Sequence, residues 1–307
     1  MRTVLLTGIT SFIGRHLANH LAQSDIKVVA TYRSDHQHQV ESQLANFRTL
    51  ELVQLDLLDE IGFDRLPSTV DAVVHVAGVS AAPNISNDQM LAVNVAGTRN
   101  VQRYAMRAGA CKFIYCSSLS IHGSINSGMV DERTPIIDPT LYGATKYLGE
   151  RILAEVSDAL PTLAIRLPGV LGPGAHRAWI PTLVDKMVSS EDVSIHSPNA
   201  EFNNAVHVHD LSKFIIQVLS KQSWQGFAAF PIGAAGKMTI SDIANFLQKR
   251  LASTSRLLEV DSTRQSFLID SIYAVKHFGY VPTPIDTLLL HYLDDLSSVT
   301  TRTSIIL

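Results

Sequence analysis

Tyr142 and Lys146 are the residues whose types and spacing most readily do chemistry. They stand four apart in Tyr142-Gly143-Ala144-Thr145-Lys146. On a helix that spacing puts both side chains on one face, one turn apart. A phenol is a poor acid or base near neutrality, with a reference pKa of about 10. A neighbouring ammonium favours the phenolate, so Lys146 is expected to lower the pKa of Tyr142. Such a tyrosine can give a proton to, or take one from, an oxygen whose carbon gains or loses hydride. An exposed Tyr–Lys pair on an ordinary amphipathic helix has the same pattern, so the surrounding chain must decide. Ahead of it, the tandem serines Ser117 and Ser118 close an apolar run. At a strand tip their hydroxyls could donate to a carbonyl oxygen. Asp138-Pro139-Thr140 supplies start signals for the helix that would carry Tyr142.

Five short apolar runs, residues 3–7, 28–32, 50–55, 72–76 and 113–116, precede Tyr142. Segments of helical period separate most of them, notably 12–22 and 88–108. Unalternating apolar strands between helices imply a parallel sheet covered on both faces, and right-handed crossovers make it a doubly wound α/β fold. Such sheets bind ligands beyond the carboxyl ends of their strands. The first strand end reads Thr7-Gly8-Ile9-Thr10-Ser11-Phe12-Ile13-Gly14. Gly8 permits the tight turn and Gly14 close helix–strand packing, and the helix starting near Ser11 turns its first amides on a phosphate. Ser11 stands where a middle glycine is usual, and its hydroxyl offers a compensating hydrogen bond. A dinucleotide is therefore expected along Gly8, Thr10, Ser11, Phe12, Ile13 and Gly14.

The second strand ends Thr31-Tyr32-Arg33-Ser34. No carboxylate stands at its tip; Asp35 lies two residues beyond Arg33. Arg33 suits a 2′-phosphate through charge and fork geometry, which favours NADPH/NADP over NAD. Asp56, in Gln54-Leu55-Asp56-Leu57, could accept from an adenine amino group or cap a helix. The fourth run ends His75-Val76-Ala77-Gly78, small residues that let backbone approach a cofactor. His75 itself reads as a structural histidine. Asn94 falls in mid-helix, where a mediocre helix former points to a hydrogen-bonding task.

The 307-residue chain is long enough for one large domain or two intimately joined ones. Its net charge of -3 provides neither a nucleic-acid footprint nor a polybasic membrane signal. The longest apolar run, around residues 70–83, is too short for a membrane span and is interrupted by Asp71 and His75. No secretory signal is evident. Cys111 and Cys116 flank one expected strand, too far apart to bridge, and free thiols suit the cytoplasm. His207 and His209 alternate on an expected strand and so share a face. Zinc would need further ligands, so no metal is expected.

Taken in order, Thr7-Gly8-x-x-Ser11-x-x-Gly14, Asp56-Leu57, His75-Val76-Ala77-Gly78, Asn94-Val-x-Gly97-Thr98, Ser117-Ser118 and Tyr142-x-x-x-Lys146 resemble the extended short-chain dehydrogenase/reductase family. This is the group of NAD(P)-dependent sugar-nucleotide epimerases, dehydratases and ketoreductases. Arg166-Leu167-Pro168-Gly169 and Val206-His207-Val208-His209-Asp210 extend the resemblance over nearly the whole chain. It implies a Rossmann sheet at residues 1–166, to which residues 205–220 return. A smaller α/β substrate-binding part follows at 167–296, then a loose tail at 297–307. It implies Ser118, Tyr142 and Lys146 as the catalytic set, Ser118 rather than Ser117 by its distance from Gly123. Cofactor contacts are expected to include Leu57, Val76, Ala77, Gly78, Asn94, Leu167 and Pro168. Substrate contacts are expected at Ser80, Ser118, Gly169, His176, Arg177 and Asn203. Homodimers formed through long helices are common in the resembling family, and 88–108 with 142–156 are the candidates here.

Two departures bear on the substrate. Sugar-nucleotide enzymes of the family often carry Asn where this chain has Gly169 and a diphosphate-binding Arg where it has Asn203. His176 and Arg177 are the candidate replacements. The family's 4,6-dehydratases carry an Asp-Glu pair where this chain has Leu119 and Ser120, so water elimination is not expected. The reading is an NADPH-dependent ketoreductase of a nucleotide-linked 4-keto-6-deoxy sugar. The alternatives are an NAD-dependent sugar-nucleotide 4-epimerase, a reductase of a small carbonyl compound without a nucleotide, and a non-catalytic cofactor sensor.

Overall fold

A computed structural model describes residues 2–33, 49–176, 178–221, 223–260 and 266–304. Ser34, Asp35 and Arg177 lie outside the described residues. The chain divides into two compact units. The first comprises Met1–Ser124, Pro135–Arg166 and Ser212–Phe230, and the second Ile125–Thr134, Leu167–Leu211 and Pro231–Leu307.

The first unit is built on seven strands: β1 (Arg2–Thr7), β2 (Ile26–Tyr32), β3 (Leu50–Gln54), β4 (Ala72–His75), β5 (Lys112–Ser118), β6 (Thr162–Leu167) and β7 (Phe227–Pro231). They form one sheet in the order β7-β6-β5-β4-β1-β2-β3. β1 pairs in parallel with β2 and β4, β2 with β3, and β4 with β5. The order steps outward from β1 in both directions, so the fold is doubly wound and its switch point lies between β1 and β4. Both faces of β1 and β2 are covered, which is why their apolar residues run without alternation. At the carboxyl end Thr7 stands level with Thr31 and His75, and His75 with Tyr115. A buried polar and aromatic row therefore crosses the sheet where ligands bind.

Helix α1 (Phe12–Ala22) begins on Ser11, whose Oγ accepts from the Gly14 amide at 3.0 Å. It buries Leu17, Ala18 and Leu21. The helical segment expected at 88–108 is present but changes pitch. α2 (Asn87–Leu91) passes through a π-helical turn, Ala92–Gly97, into α3 (Thr98–Arg107). α4 (Leu141–Ala154) is capped by Thr140, whose hydroxyl accepts from Gly143 N at 3.3 Å. Leu5, Val29, Val73 and Phe113 pack with Val101, Tyr104 and Leu153. Burying each side chain of this size contributes roughly 1.5–3 kcal/mol.

In the second unit, α5 (Trp179–Val188), α7 (Ile240–Arg250) and α9 (Ile285–Ser304) share a core with Leu183, Met187, Leu247, Leu288, Leu289 and Tyr292; α8 (Ile272–Phe278) is another of its helices, and α6 (Val208–Lys221) starts in it and from Ser212 on belongs to the first unit. Ala205–His207 pairs with Gly169–Leu171, and the later segment grouped with the first unit is Ser212–Phe230, which carries most of β7. One sequence expectation changes here: His207 ends its strand and His209 already lies in α6, so the two do not share a strand face. Helix α9 runs to Ser304, with Leu293 and Leu296 in its core contact.

Candidate active site

Tyr142 lies in the first turn of α4 and Lys146 follows one turn on, as their spacing requires. Ser118 is the last residue of β5 and caps the short turn after it, its Oγ accepting from Ser120 N at 3.2 Å. The Ser118 hydroxyl lies close enough to the Tyr142 hydroxyl to favour its ionised form. Gly143 makes this approach possible, because a Cβ there would overlap the Ser120 carbonyl. All three expected residues therefore sit at one carboxyl-end corner of the first unit.

Their electrostatics differ from the sequence expectation. The Tyr142 pKa is raised, by burial first, with the Ser118 hydroxyl opposing. Lys146 is not among the causes. Its ammonium lies 4.1 Å from the centre of the Tyr115 ring, and burial lowers its own pKa to about 8. Desolvation of the phenol thus outweighs the expected help from the lysine. In this state Tyr142 is a neutral acid and Lys146 is mostly charged at neutral pH.

Beside this corner runs an open groove. Its floor starts at Gly8, Thr10 and Ser11. Gly8 has φ +79°, and a Cβ on it would stand 2.7 Å from the Ala77 backbone. Only glycine fits both constraints. Ser11 occupies both ends of its hydroxyl locally, donating to Gly8 O at 2.8 Å and accepting from Gly14 N. The amides of Phe12 and Ile13 belong to the first helical turn, where no acceptor exists within the helix. A diphosphate fits such a cradle.

Arg33 lines the groove at the end of β2, and Asp56 lines it after β3. Asp56 also holds its own turn, accepting from Leu58 N at 2.9 Å, and Leu57 beside it is buried. Val76 follows β4, and Ala77 and Gly78 line the groove. A Cβ on Gly78 would stand 3.1 Å from Asn94 Oδ1 and 3.9 Å from Lys146 Nζ, so Gly78 links the groove to the Tyr–Lys corner. Asn94 performs the task its placement implied: Oδ1 accepts from Val79 N at 2.8 Å, and Nδ2 donates to Val79 O at 2.9 Å and Thr145 Oγ1 at 3.0 Å. His75 is fully buried between Thr7 Oγ1 (2.6 Å) and Thr98 Oγ1 (3.0 Å), with its pKa lowered to about 3 by burial. Leu167 closes β6, with Pro168 next.

Among the expected substrate residues, Ser80 is exposed in the loop after β4. Gly169 begins a strand of the second unit and His176 is exposed there. Asn203 is only 5% exposed and its amide is taken: Nδ2 donates to Ile269 O (2.9 Å) and Ala234 O (3.3 Å), and Oδ1 accepts from Ile269 N (2.7 Å). It ties chain segments together and has no group to spare for a substrate.

Sequence reasoning missed three groups. Glu150 is buried one turn beyond Lys146, accepting from Ser117 Oγ at 2.6 Å and from Arg166 at 3.2 and 3.0 Å. Its signal was an acid on the same helical face as Tyr142 and Lys146. Thr145 and Tyr115 had no such signal, since only the fold brings them to Asn94 and Lys146.

The doubly wound sheet, the glycine turn and the Ser–Tyr–Lys corner together define a nicotinamide-dependent enzyme of the oxidoreductase type. Residues 4–233 match the NAD dependent epimerase/dehydratase family, and the chain belongs to it and, through it, to the extended short-chain dehydrogenase/reductases. The chain is 27% identical over 281 residues to UDP-glucose 4-epimerase 4 of Oryza sativa subsp. japonica, which covers 81% of this chain and 76% of that one. It is 22% identical over 307 residues to a dTDP-4-dehydro-6-deoxy-D-allose reductase of Streptomyces sp, covering 92% and 93% of the two chains. In fold it is similar to UDP-glucuronic acid 4-epimerase from Bacillus cereus in complex with NAD, with a TM-score of 0.83, 20% identity, and coverage of 97% and 99%. Among the described residues no helix is long and apolar enough to cross a membrane.

Proposed function

We propose that this protein reduces a nucleotide-linked 4-keto-6-deoxy sugar with NADPH. The observation that carries the reading is the half-buried, neutral Tyr142 next to Ser118, beside the glycine-cradled groove. A phenol held in its acid form is set to give a proton, which is what carbonyl reduction asks of it. When bound, the reduced nicotinamide supplies hydride to a carbonyl carbon. Tyr142 gives its proton to the carbonyl oxygen. Ser118 donates to that oxygen as charge develops on it. Lys146 contributes its positive charge and holds the cofactor ribose. Gly8, Ser11 and Gly14 shape the diphosphate cradle, and Arg33 supports the choice of NADP(H) through its position in the groove. The dTDP-sugar reductase relative, similar over nearly the full length of both chains, supports the substrate class. Ser80, Gly169 and His176 are the candidate substrate contacts. Leu91, Met106 and Leu148 expose apolar surface on α2, α3 and α4 and make these helices the candidate homodimer face.

The test is oxidation of NADPH and NADH, followed at about 340 nm, against dTDP-, GDP- and UDP-linked keto sugars. Turnover with NADPH on one of them is expected. Activity with NADH alone, or none on any keto sugar, overturns the reading. A second reading, NAD-dependent sugar-nucleotide epimerisation, is favoured by the rice epimerase relative. It predicts NAD that stays bound through purification and interconversion of epimers with no net change in absorbance.

A further inference from the structure

Lys146 is buried, with 4% of its surface exposed, in the middle of a packed helix–sheet contact. A buried ammonium must be compensated or it deprotonates. Beneath it lies the Tyr115 ring, fully buried on β5, with the Lys146 Nζ 4.1 Å from the ring centre. That is well within the range in which the negative face of an aromatic ring attracts a cation. Tyr115 in turn stacks on His75, its register neighbour on β4. The two rings are 5.5 Å apart and 22° from parallel. The imidazole is clamped by hydrogen bonds from both sides and stays neutral, so it adds no charge to the stack. Gly149 on α4 makes room for this arrangement: a Cβ there would overlap the Tyr115 hydroxyl and stand 2.9 Å from Cζ. A mid-helix glycine costs about 1 kcal/mol relative to alanine, so its place calls for a reason of this kind.

We propose that Tyr115 is a positioning residue, whose ring face holds the Lys146 ammonium in the site while the stacked His75 holds the ring. The proposal rests on the reading of Lys146 given above. The stack is built across β4, β5 and α4, and it fixes the lysine at the end of the groove next to Gly78. The other titratable groups facing Lys146 are Cys116 on β5 and Glu150 on its own helix, which favour its charge, and His75 on β4.

The test replaces Tyr115 by phenylalanine and then by difluoro- and pentafluorophenylalanine in the full chain. These changes keep the ring's size and progressively remove the negative charge of its face. Lys146 is read directly by NMR titration of lysines labelled with carbon-13 at Cε, its signal identified by loss in Lys146→Arg. The wild-type titration point is expected near 8, with Tyr115→Phe close to it. Pentafluorophenylalanine should lower it by about one pH unit, with the difluoro ring between. A titration point that ignores fluorination overturns the proposal, whatever turnover does. A point that falls while turnover holds supports the stack and removes Lys146 from the proposed chemistry. Gly149→Ala is the second variant: it should weaken NADPH binding by displacing the ring, and Tyr115→Phe in that background should recover part of the loss. No recovery overturns the placement of the ring.

Discussion

Glu150→Gln isolates one charge at the base of the site. In the folded chain Glu150 is 1% exposed, and its side chain accepts three hydrogen bonds, one from Ser117 and two from Arg166. Glutamine keeps the volume and most of the hydrogen-bonding capacity but removes the charge. The Arg166 guanidinium, 7% exposed, cannot lose its proton and loses the Glu150 carboxylate that it meets. At the observed 3.0 Å contact, an effective dielectric of about 20 gives a Coulomb attraction of roughly 5 kcal/mol. Stranding one member of a buried pair costs about 3–5 kcal/mol in practice. At about 2–4 °C per kcal/mol for a domain of this size class, the melting temperature should fall by about 6–20 °C. Replacing both members with Glu150→Leu and Arg166→Met leaves no unpaired charge, only the Ser117 hydroxyl without its acceptor, and should cost less than either single change. Urea unfolding at pH 7.5, followed by far-ultraviolet circular dichroism on wild type, Glu150→Gln, Glu150→Leu, Arg166→Met and the double variant, measures the charge loss and the cycle. A Glu150→Gln loss below about 1 kcal/mol, or a double variant that loses the sum of the two single changes, would refute the reasoning.

Three further outcomes are expected. Tyr142→Phe should lower turnover by about 10²–10⁴-fold while NADPH affinity, measured by fluorescence titration, stays nearly unchanged; near-normal turnover would remove Tyr142 from the chemistry. Gly8→Ala forces a left-handed conformation costing about 1–2 kcal/mol and drives a Cβ into the Ala77 backbone, so cofactor binding by calorimetry should be lost before the fold is. The His75 imidazole binds a proton at about 3 in the folded state against 6.5 unfolded, so the unfolded chain takes up a proton that the folded chain refuses. Its share of stability is therefore full above about pH 6.5 and is lost as pH falls towards 3, with a slope approaching 1.4 kcal/mol per pH unit. Urea midpoints between pH 7.5 and 5 should fall less in His75→Gln than in wild type, and equal slopes would contradict the assignment.

What could be read from the sequence was what local rules govern. Ser11 capping α1, Gly8 turning with positive φ and the one-turn separation of Tyr142 and Lys146 follow from neighbours in the chain. The Tyr142 pKa could not be read this way, because spacing shows the lysine but not the burial that outweighs it. Asn203 looked available because a sequence shows an amide but not the Ile269 and Ala234 groups that fold onto it. Two-residue strands such as Glu201–Phe202 and Met129–Val130 are too short to carry a period. The switch from strand to helix between His207 and Val208 has no glycine or proline to mark it.

The π-helical turn at Ala92–Gly97 amounts to one residue more than an α-helix needs for the same climb. Deleting one residue there would restore regular pitch and swing everything on its N-terminal side round the helix axis by about 100°. Asn94 would then leave Val79 and Thr145, or Thr98 would leave the Asn94 carbonyl it now meets at 2.6 Å. The turn thus acts as a phase-setter between two halves of one helix: the first half is timed to the loop after β4, the second to the sheet through Thr98 and His75. Length changes that a surface helix would absorb should not be tolerated at these six positions.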